Sequence, residues 1–337
     1  MRTRPGAQRG IALITAVMIV AIAAAIAAKI AFAHQIWFRQ MENVSDRGAT
    51  DLLRRGALHW ASVALLEDAA QNSIDHLGEA WAMGLPTLPV EGGAIKVSIE
   101  DAEGRFNLNN LVQNNVKSQP DFDVFQRLLV ELNLDPSLAN AVVDWIDADS
   151  NVTSPGGAED NDYLQLKTPY RAANQPLTSV DELRLVKGFD ARTLQMLLPF
   201  VTVLPVLSGG RTPINVNTAS PELLAALANV DLASVQRVVE NRREKPMQNL
   251  GDFTRQLPPK TQLQAGGDIK TNFFLITLDT SIGRHQRRTV ALMQRDAGAK
   301  TTTWIWHKPE PLIDALTATS SGGSQASGGT GEIDQLQ

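Results

Sequence analysis

The sequence predicts an α+β protein in which one long N-terminal helix leads into a small antiparallel sheet, and a large helical block interrupts that sheet. Three observations carry this expectation. An apolar run near the N-terminus continues into a proline-free stretch with helical spacing. Strand-like alternation appears at Ile95, Val97 and Ile99 and does not return until Phe273. The residues between are mostly helical in pattern, which places an insertion inside a small sheet.

From Ile11 to Ala28 the chain carries about 18 residues without charge, roughly the length that spans a bilayer core as a helix. A secretory signal peptide would show a small-residue cleavage site after such a run. Here the junction lies before it: the basic leader MRTRPGAQRG ends at Gly10, and Ile11 opens the apolar segment directly. This arrangement resembles the class III signal of type IV pilins and type II secretion pseudopilins. In those families a prepilin peptidase cuts after the glycine, the new N-terminal amine is methylated, and the apolar helix stays with the mature protein. An uncleaved single-pass anchor is the alternative. Pilins generally carry glutamate at the fifth mature position, and here that position is Thr15. Its absence is characteristic of the large minor pseudopilin of type II secretion, the general secretion pathway protein K family. Arg2, Arg4 and Arg9 precede the span, so the N-terminus is expected to stay cytoplasmic and the bulk to be periplasmic. The resemblance thus implies a single-pass protein of the inner membrane.

With 337 residues the chain can bury more than one core, and a net charge of -5 argues against a general nucleic-acid binder. The chain contains no cysteine, which excludes disulfides, thiolate metal sites and a thiol nucleophile.

Beyond Lys29 no proline appears until Pro86, and Trp37, Met41, Val44, Leu52, Leu53, Trp60, Val63 and Leu66 recur at helical spacing. One continuous helix of roughly 55–60 residues is expected, about 85 Å long. A break would fall at Gly48 or Gly56. The strand around Val97 finds its partners late in the chain, in FFLITLDTSI, RRTVALMQRD and TTTWIWHK. Members of family K look like this: a type IV pilin-like fold, made of a long transmembrane helix and a small antiparallel sheet, with a large inserted α-helical, SAM-like domain. The expected division is leader 1–10, transmembrane helix 11–33, pilin-like helix and first strand 34–105, insert 106–267, remaining strands 268–310 and a disordered tail 311–337. The tail is rich in Ser and Gly and poor in apolar residues.

Inside the insert, RFNLNNL echoes PINVNTAS, while SVDELRLVKGFD and SPELLAALANVD share a capped start followed by Glu-Leu. Ser179 with Glu182 fits a capping box, and Ser220 before Pro221 fits an N-cap followed by proline at the first helical position. INVNTASPELLAAL also resembles the helix-hairpin-helix modules of DNA-binding proteins, so a periplasmic DNA-binding protein is the rival reading. Such hairpins use a glycine-rich turn against phosphate. The corresponding turn here is Asn229, Val230 and Asp231, with a carboxylate that repels phosphate, and only Lys187-Gly188-Phe189 keeps part of the pattern.

The strongest chemical constellation is DWIDADSNVTSPGGAEDNDY. It holds Asp144, Asp147, Asp149, Glu159, Asp160 and Asp162 and neither lysine nor arginine. So many carboxylates in one loop repel one another unless a cation neutralises them, and hard oxygen donors suit calcium. Asp147, Asp149 and Asn151 have the spacing of an EF-hand start, but Val152 stands at the turn glycine and Glu159 falls one place late. The stretch is similar instead to the acidic, calcium-binding loop of family K, including Tyr170, Arg171 and Asn174 after it. A solvated acidic loop is the alternative. The five histidines are scattered and no HExxH, GxSxG or phosphate loop occurs, so an acidic metal-dependent hydrolase is disfavoured and no enzyme is expected. The resemblance implies a minor pseudopilin at the pseudopilus tip. Its partners would be other minor pseudopilins (the I and J classes, then H), the major pseudopilin, the prepilin peptidase and the inner-membrane assembly platform, with no nucleic acid.

Processing gives the first test. N-terminal sequencing of the mature protein is expected to begin at Ile11, and a bulky substitution at Gly10 should leave the precursor uncut, because the peptidase must approach a backbone without a side chain. A mature chain beginning at Met1 would remove the main support for the pseudopilin resemblance.

Overall fold

The computed structural model describes residues 9–206 and 210–310. Residues 1–8 of the expected leader 1–10, and the expected disordered tail 311–337, lie outside the described residues.

Helix α1 (Arg9–Gln71) is one uninterrupted element of 63 residues, ~95 Å long at 1.5 Å per residue. Neither Gly48 nor Gly56 breaks it, and both lie in open space. Every residue from Ile11 to Glu42 is exposed, and Thr50 is the first that is buried. Beyond it Leu58, Ala61 and Leu65, spaced three and four apart, turn one face onto a sheet.

That sheet has five antiparallel strands: β1 (Leu85–Val90), β2 (Gly93–Asp101), β3 (Phe273–Ile282), β4 (His285–Asp296) and β5 (Thr301–Glu310). Spatial order follows chain order, so the sheet is a meander, cut once between β2 and β3. Phe274, Ile276 and Leu278 from β3 meet Val97 and Ile99 from β2 and Leu58 and Leu65 from α1 in one core. The opposite face carries Phe273 and Leu292, packed with Leu204 and Trp306. Strand β1 is the element the sequence reading missed. Pro86 and Pro89 hide it, since proline weakens any strand signal, and its place at the sheet edge is where proline is tolerated.

Between β2 and β3 the chain builds two units on one plan. In each, a two-residue strand pairs in parallel with a distant partner: Phe106–Asn107 with Val201–Thr202, and Ile214–Asn215 with Gly267–Asp268. An Asn-x-Asn turn follows. Asn107 Oδ1 accepts from Asn109 N at 3.2 Å, and Asn215 Oδ1 accepts from Asn217 N at 3.0 Å. The second asparagine then clasps a far backbone residue in both directions. Asn109 accepts from Leu177 N (2.8 Å) and donates to Leu177 O (3.0 Å); Asn217 does the same with Met247 (2.8 and 3.1 Å). Both clasped residues follow a proline and precede a capped turn.

The capped starts shared by SVDELRLVKGFD and SPELLAALANVD both form, at Ser179 and Ser220, but the two phrases do not hold equivalent places in the two units. PLTSVDEL (176–183) corresponds to PMQNLGDF (246–253), with Ser179 and Asn249 as the caps. Ser179 and Glu182 do form a capping box, over a 3-10 turn rather than an α-helix. Ser220 caps helix Pro221–Ala228 as expected. The acidic stretch is extra to the plan: residues 147–175 stand where the second unit has only Lys245 between helix Leu232–Glu244 and Pro246.

The insert's two ends meet on adjacent strands, Asp101 opposite Phe274. Arg295 of β4, buried, pins them to the end of α1. It donates to Asp75 at 2.6 and 2.7 Å, to Asp68 at 3.1 Å and to the Thr271 carbonyl at 3.0 Å. Thr271 N in turn donates to Asp75 at 2.8 Å. Replacing Arg295 by Met leaves Asp75 buried without its cation, and a loss of about 3–5 kcal/mol is expected in chemical denaturation of the full-length protein. A change within error would show that the pair contributes nothing to the fold.

Candidate metal centre

Helix Leu138–Ile146 is buried along its length and delivers Asp144 on its last turn, fully buried. Asp144 Oδ2 accepts from Thr153 N at 2.9 Å, while Oδ1 has no hydrogen-bond partner. The chain folds back over it at Gly157. A Cβ there would lie 2.2 Å from Asp144 Oδ2 and 2.3 Å from the Thr153 carbonyl, so only glycine fits. Asp147 ends the helix, Asp149 follows, and Glu159 returns against them, 2 % exposed. One oxygen each from Asp147, Asp149 and Glu159 lies within 4.8 Å of the others.

The orphaned oxygens mark this place. Both carboxylate oxygens of Glu159, Oδ1 of Asp147 and Oδ1 of Asp144 are buried without a partner. Burial, reinforced by the neighbouring aspartates, pushes Glu159 up to about 7 and Asp147 up to about 6. Asp144 is raised too, mainly by burial. Carboxylates in this state need protons or a cation. An all-oxygen, all-carboxylate donor set fits a hard ion such as calcium, which takes about six to eight oxygens in flexible geometry.

Asp160 and Asp162, expected in the same set, are not brought into it. Asp160 accepts from Arg171 Nη1 at 2.8 Å and from Ala172 N at 3.0 Å. Asp162 accepts from Lys187 Nζ at 3.0 Å and from Glu159 N at 3.3 Å, and the Lys187 hydrogen bond holds it below the usual range. These two carboxylates brace the loop from outside. Lys187 also donates to the Gly157 carbonyl at 3.2 Å, and its backbone N–H donates to the Tyr163 hydroxyl at 3.3 Å. Tyr163 packs edge-on to Trp145 and stacks with Tyr170. The lysine of the hairpin-like Lys187-Gly188-Phe189 is therefore directed at the acidic loop.

Sequence reasoning missed Gly157, Lys187 and Tyr163. Only the Gly156-Gly157 pair left a local trace. A second acidic group, Asp68, Asp75 and Glu79, also converges. Its oxygens are taken, however: Arg295 occupies Asp68 and Asp75, while Asn72, His76 N and Trp81 Nε1 donate to Glu79.

The residues expected to act in processing and assembly, Gly10, Ile11 and Thr15, lie at the other end. Arg9 and Gly10 are already helical, Ile11 is exposed, and the Thr15 hydroxyl donates to the Ile11 and Ala12 carbonyls at 3.1 and 3.0 Å.

Residues 104–206 and 214–272 match family models described as type II secretion system protein K. The chain is 35% identical to type II secretion system protein K of Pseudomonas aeruginosa, over 87% of this chain and 90% of that one. It is 33% identical to the protein of the same name from Pectobacterium carotovorum, over 90% and 99%. Among solved structures it is similar to a chain of the GspK-GspI-GspJ complex from the enterotoxigenic Escherichia coli type 2 secretion system. That likeness has a TM-score of 0.71 and 27% identity, and covers 81% of this chain and 99% of that one. On these likenesses, this chain belongs to the type II secretion system protein K family.

Proposed function

We propose that this chain is a minor pseudopilin without catalytic activity, which caps the tip of the periplasmic pseudopilus and supports its assembly for export of folded proteins. The carrying observation is the division of α1. Its first half is apolar, uncharged from Ile11 to Ala28 and without a buried residue there, while its second half holds the head. The first half fits a single-pass anchor in the inner membrane, about residues 11–33, and leaves the bulk periplasmic. Residues 34–105 and 268–310 then form a pilin-like head, and 106–267 a SAM-like insert of two units. Partners of the I and J classes are supported by the solved relative, which lies in a complex with GspI and GspJ. An H-class pseudopilin, the major pseudopilin, the prepilin peptidase and the assembly platform follow from the same reading.

The DNA-binding alternative finds no support. Asp231 caps the second helix of the hairpin, and Lys187, the one hairpin lysine, faces Asp162.

Calcium is the resident ion this reading assigns to the acidic loop. Asp144, Asp147, Asp149 and Glu159 would hold it, and Asp160 and Asp162 would brace them. Its chemistry is charge neutralisation: it would satisfy the orphaned oxygens and fix residues 147–162 against helix Leu138–Ile146. A ligand that binds only the folded state at a hundredfold excess over its Kd stabilises by about 2.7 kcal/mol. Calcium is therefore expected to raise the melting temperature of the full-length protein by roughly 4 °C over chelator. Asp147→Ala together with Glu159→Ala should remove most of that shift. Identical melting curves with calcium and chelator would sink the assignment.

Tip position rests on Thr15 and on the size of the insert. In the family's filament model a glutamate at the fifth position pairs with the N-terminal amine of the subunit above, inside an apolar bundle. Leaving such a charge unpaired costs about 3–5 kcal/mol. Thr15 is bonded to its own helix and carries no charge, yet the amine of Ile11 can still receive a glutamate from below. If the missing charge sets the position, Thr15→Glu should increase placement within the shaft, read by cross-linking. If bulk alone sets it, the variant should stay at the tip. Wild-type heads cross-linked repeatedly in mid-shaft would contradict both.

A further inference from the structure

Glu103 lies in the turn by which the chain leaves β2 for the insert, and it is fully buried. Its Oε1 accepts from Asn272 N at 2.9 Å, the residue just before β3. One carboxyl group thus joins the outgoing chain to the returning chain. Its Oε2 is buried without any partner.

After burial, the charged groups that act most on Glu103 are carboxylates, and the buried Nε of Arg295, like Glu103 Oε2, has no hydrogen-bond partner. Asp101 faces it from β2, Asp268 from the return segment and Asp75 from the turn after α1. The seam's cation, Arg295, directs both terminal nitrogens at Asp68, Asp75 and backbone carbonyls. Asp101 and Glu103 are two residues apart, yet they are served differently. Asp101 accepts from Thr218 Oγ1 (2.5 Å), Asn215 Nδ2 (2.8 Å) and Glu103 N (2.7 Å). Three donors suit a charged carboxylate, even one that burial raises. Glu103 has one. A buried charge without a partner is too costly to keep, so of the two groups Glu103 takes the proton. A metal ion is the other way to neutralise it. Among the described residues, however, Glu103 belongs to no group of three acids whose oxygens converge.

We propose that Glu103 is a neutral acid in the folded protein, and that its ionisation in alkaline medium loosens the seam attaching the insert to the sheet. Burial first, and then Asp101, hold its pKa well above the ordinary glutamate value of 4.5. The folded state therefore keeps a proton that the unfolded chain releases. Its stabilising contribution is complete below pH 4.5 and is lost as pH rises toward the raised value.

The test uses full-length wild type and Glu103→Gln in detergent micelles. The glutamine amide keeps the acceptor for Asn272 N and cannot ionise. The variant is expected to melt above wild type at about pH 9 and to lose that advantage toward about pH 5. Wild type at neutral pH should show an infrared C=O stretch of a protonated carboxylic acid that the variant lacks. Hydrogen exchange on wild type alone keeps the test independent of how the variant folds. Protection of the Thr271 and Asn272 amides, corrected for intrinsic exchange, should fall by up to about tenfold per pH unit as pH rises from 4.5 toward the raised value, and level off beyond it. A melting difference that does not change with pH, absence of the Glu103-dependent acid band, or pH-independent protection of both amides would each overturn the proposal.

Discussion

The structure depends on one topological constraint: a helical insert must leave from β2 and return to β3, and these are hydrogen-bonded neighbours. Both ends of the insert are therefore forced together at the edge of the sheet core. The groups that hold them are polar, because the chain turns there and its backbone needs partners. Arg295 reaches from β4, Asp75 from the turn after α1, and Asn215 from the second unit. Asn215 donates both to the Asp75 carbonyl and to Asp101. Head, helix and insert thus share one buried network, and a change at any member is felt by the others.

The same economy of contacts runs through the insert. Two units repeat an Asn-x-Asn turn that clasps the residue after a proline, so each unit closes on a backbone contact rather than on side-chain shape alone. Only the first unit has opened that closure to admit the acidic loop. The loop is anchored at its ends: by the buried helix Leu138–Ile146 at one side, and by buried Tyr163 with the exposed Lys187 at the other. Its middle gathers carboxylates that the protein does not neutralise. External bracing by Arg171 and Lys187 leaves Asp144, Asp147 and Glu159 with buried, unpartnered oxygens, and the exposed Asp149 beside Asp147 and Glu159.

These features lie far from the apolar half of α1. The segment suited to a membrane is one end of a helix of ~95 Å, and the sheet packs along the other half, from His285 beside Asn43 to Arg295 beside Asp68.

Much was legible in the residues because it depends on local rules. Absence of proline together with 3.6-residue spacing foretold α1 as one helix, since nothing along it removes a backbone donor. Alternation foretold β2 and β3 to β5, because successive strand residues face opposite sides of the sheet. Ser220 with Pro221 foretold a helix start, and the density of aspartates foretold the acidic loop. What the tertiary structure decided were partners distant in sequence. Strand β1 exists because a sheet edge tolerates Pro86 and Pro89, and edge position is a property of the whole sheet. Asp160 and Asp162 were indistinguishable from Asp147 and Glu159 by spacing, and separated only when folding set Arg171 and Lys187 beside them. Arg295 and Asp75 are 220 residues apart, and no local pattern signals such a pair. Sequence period reports which way a side chain turns; what it meets there depends on how the elements come together.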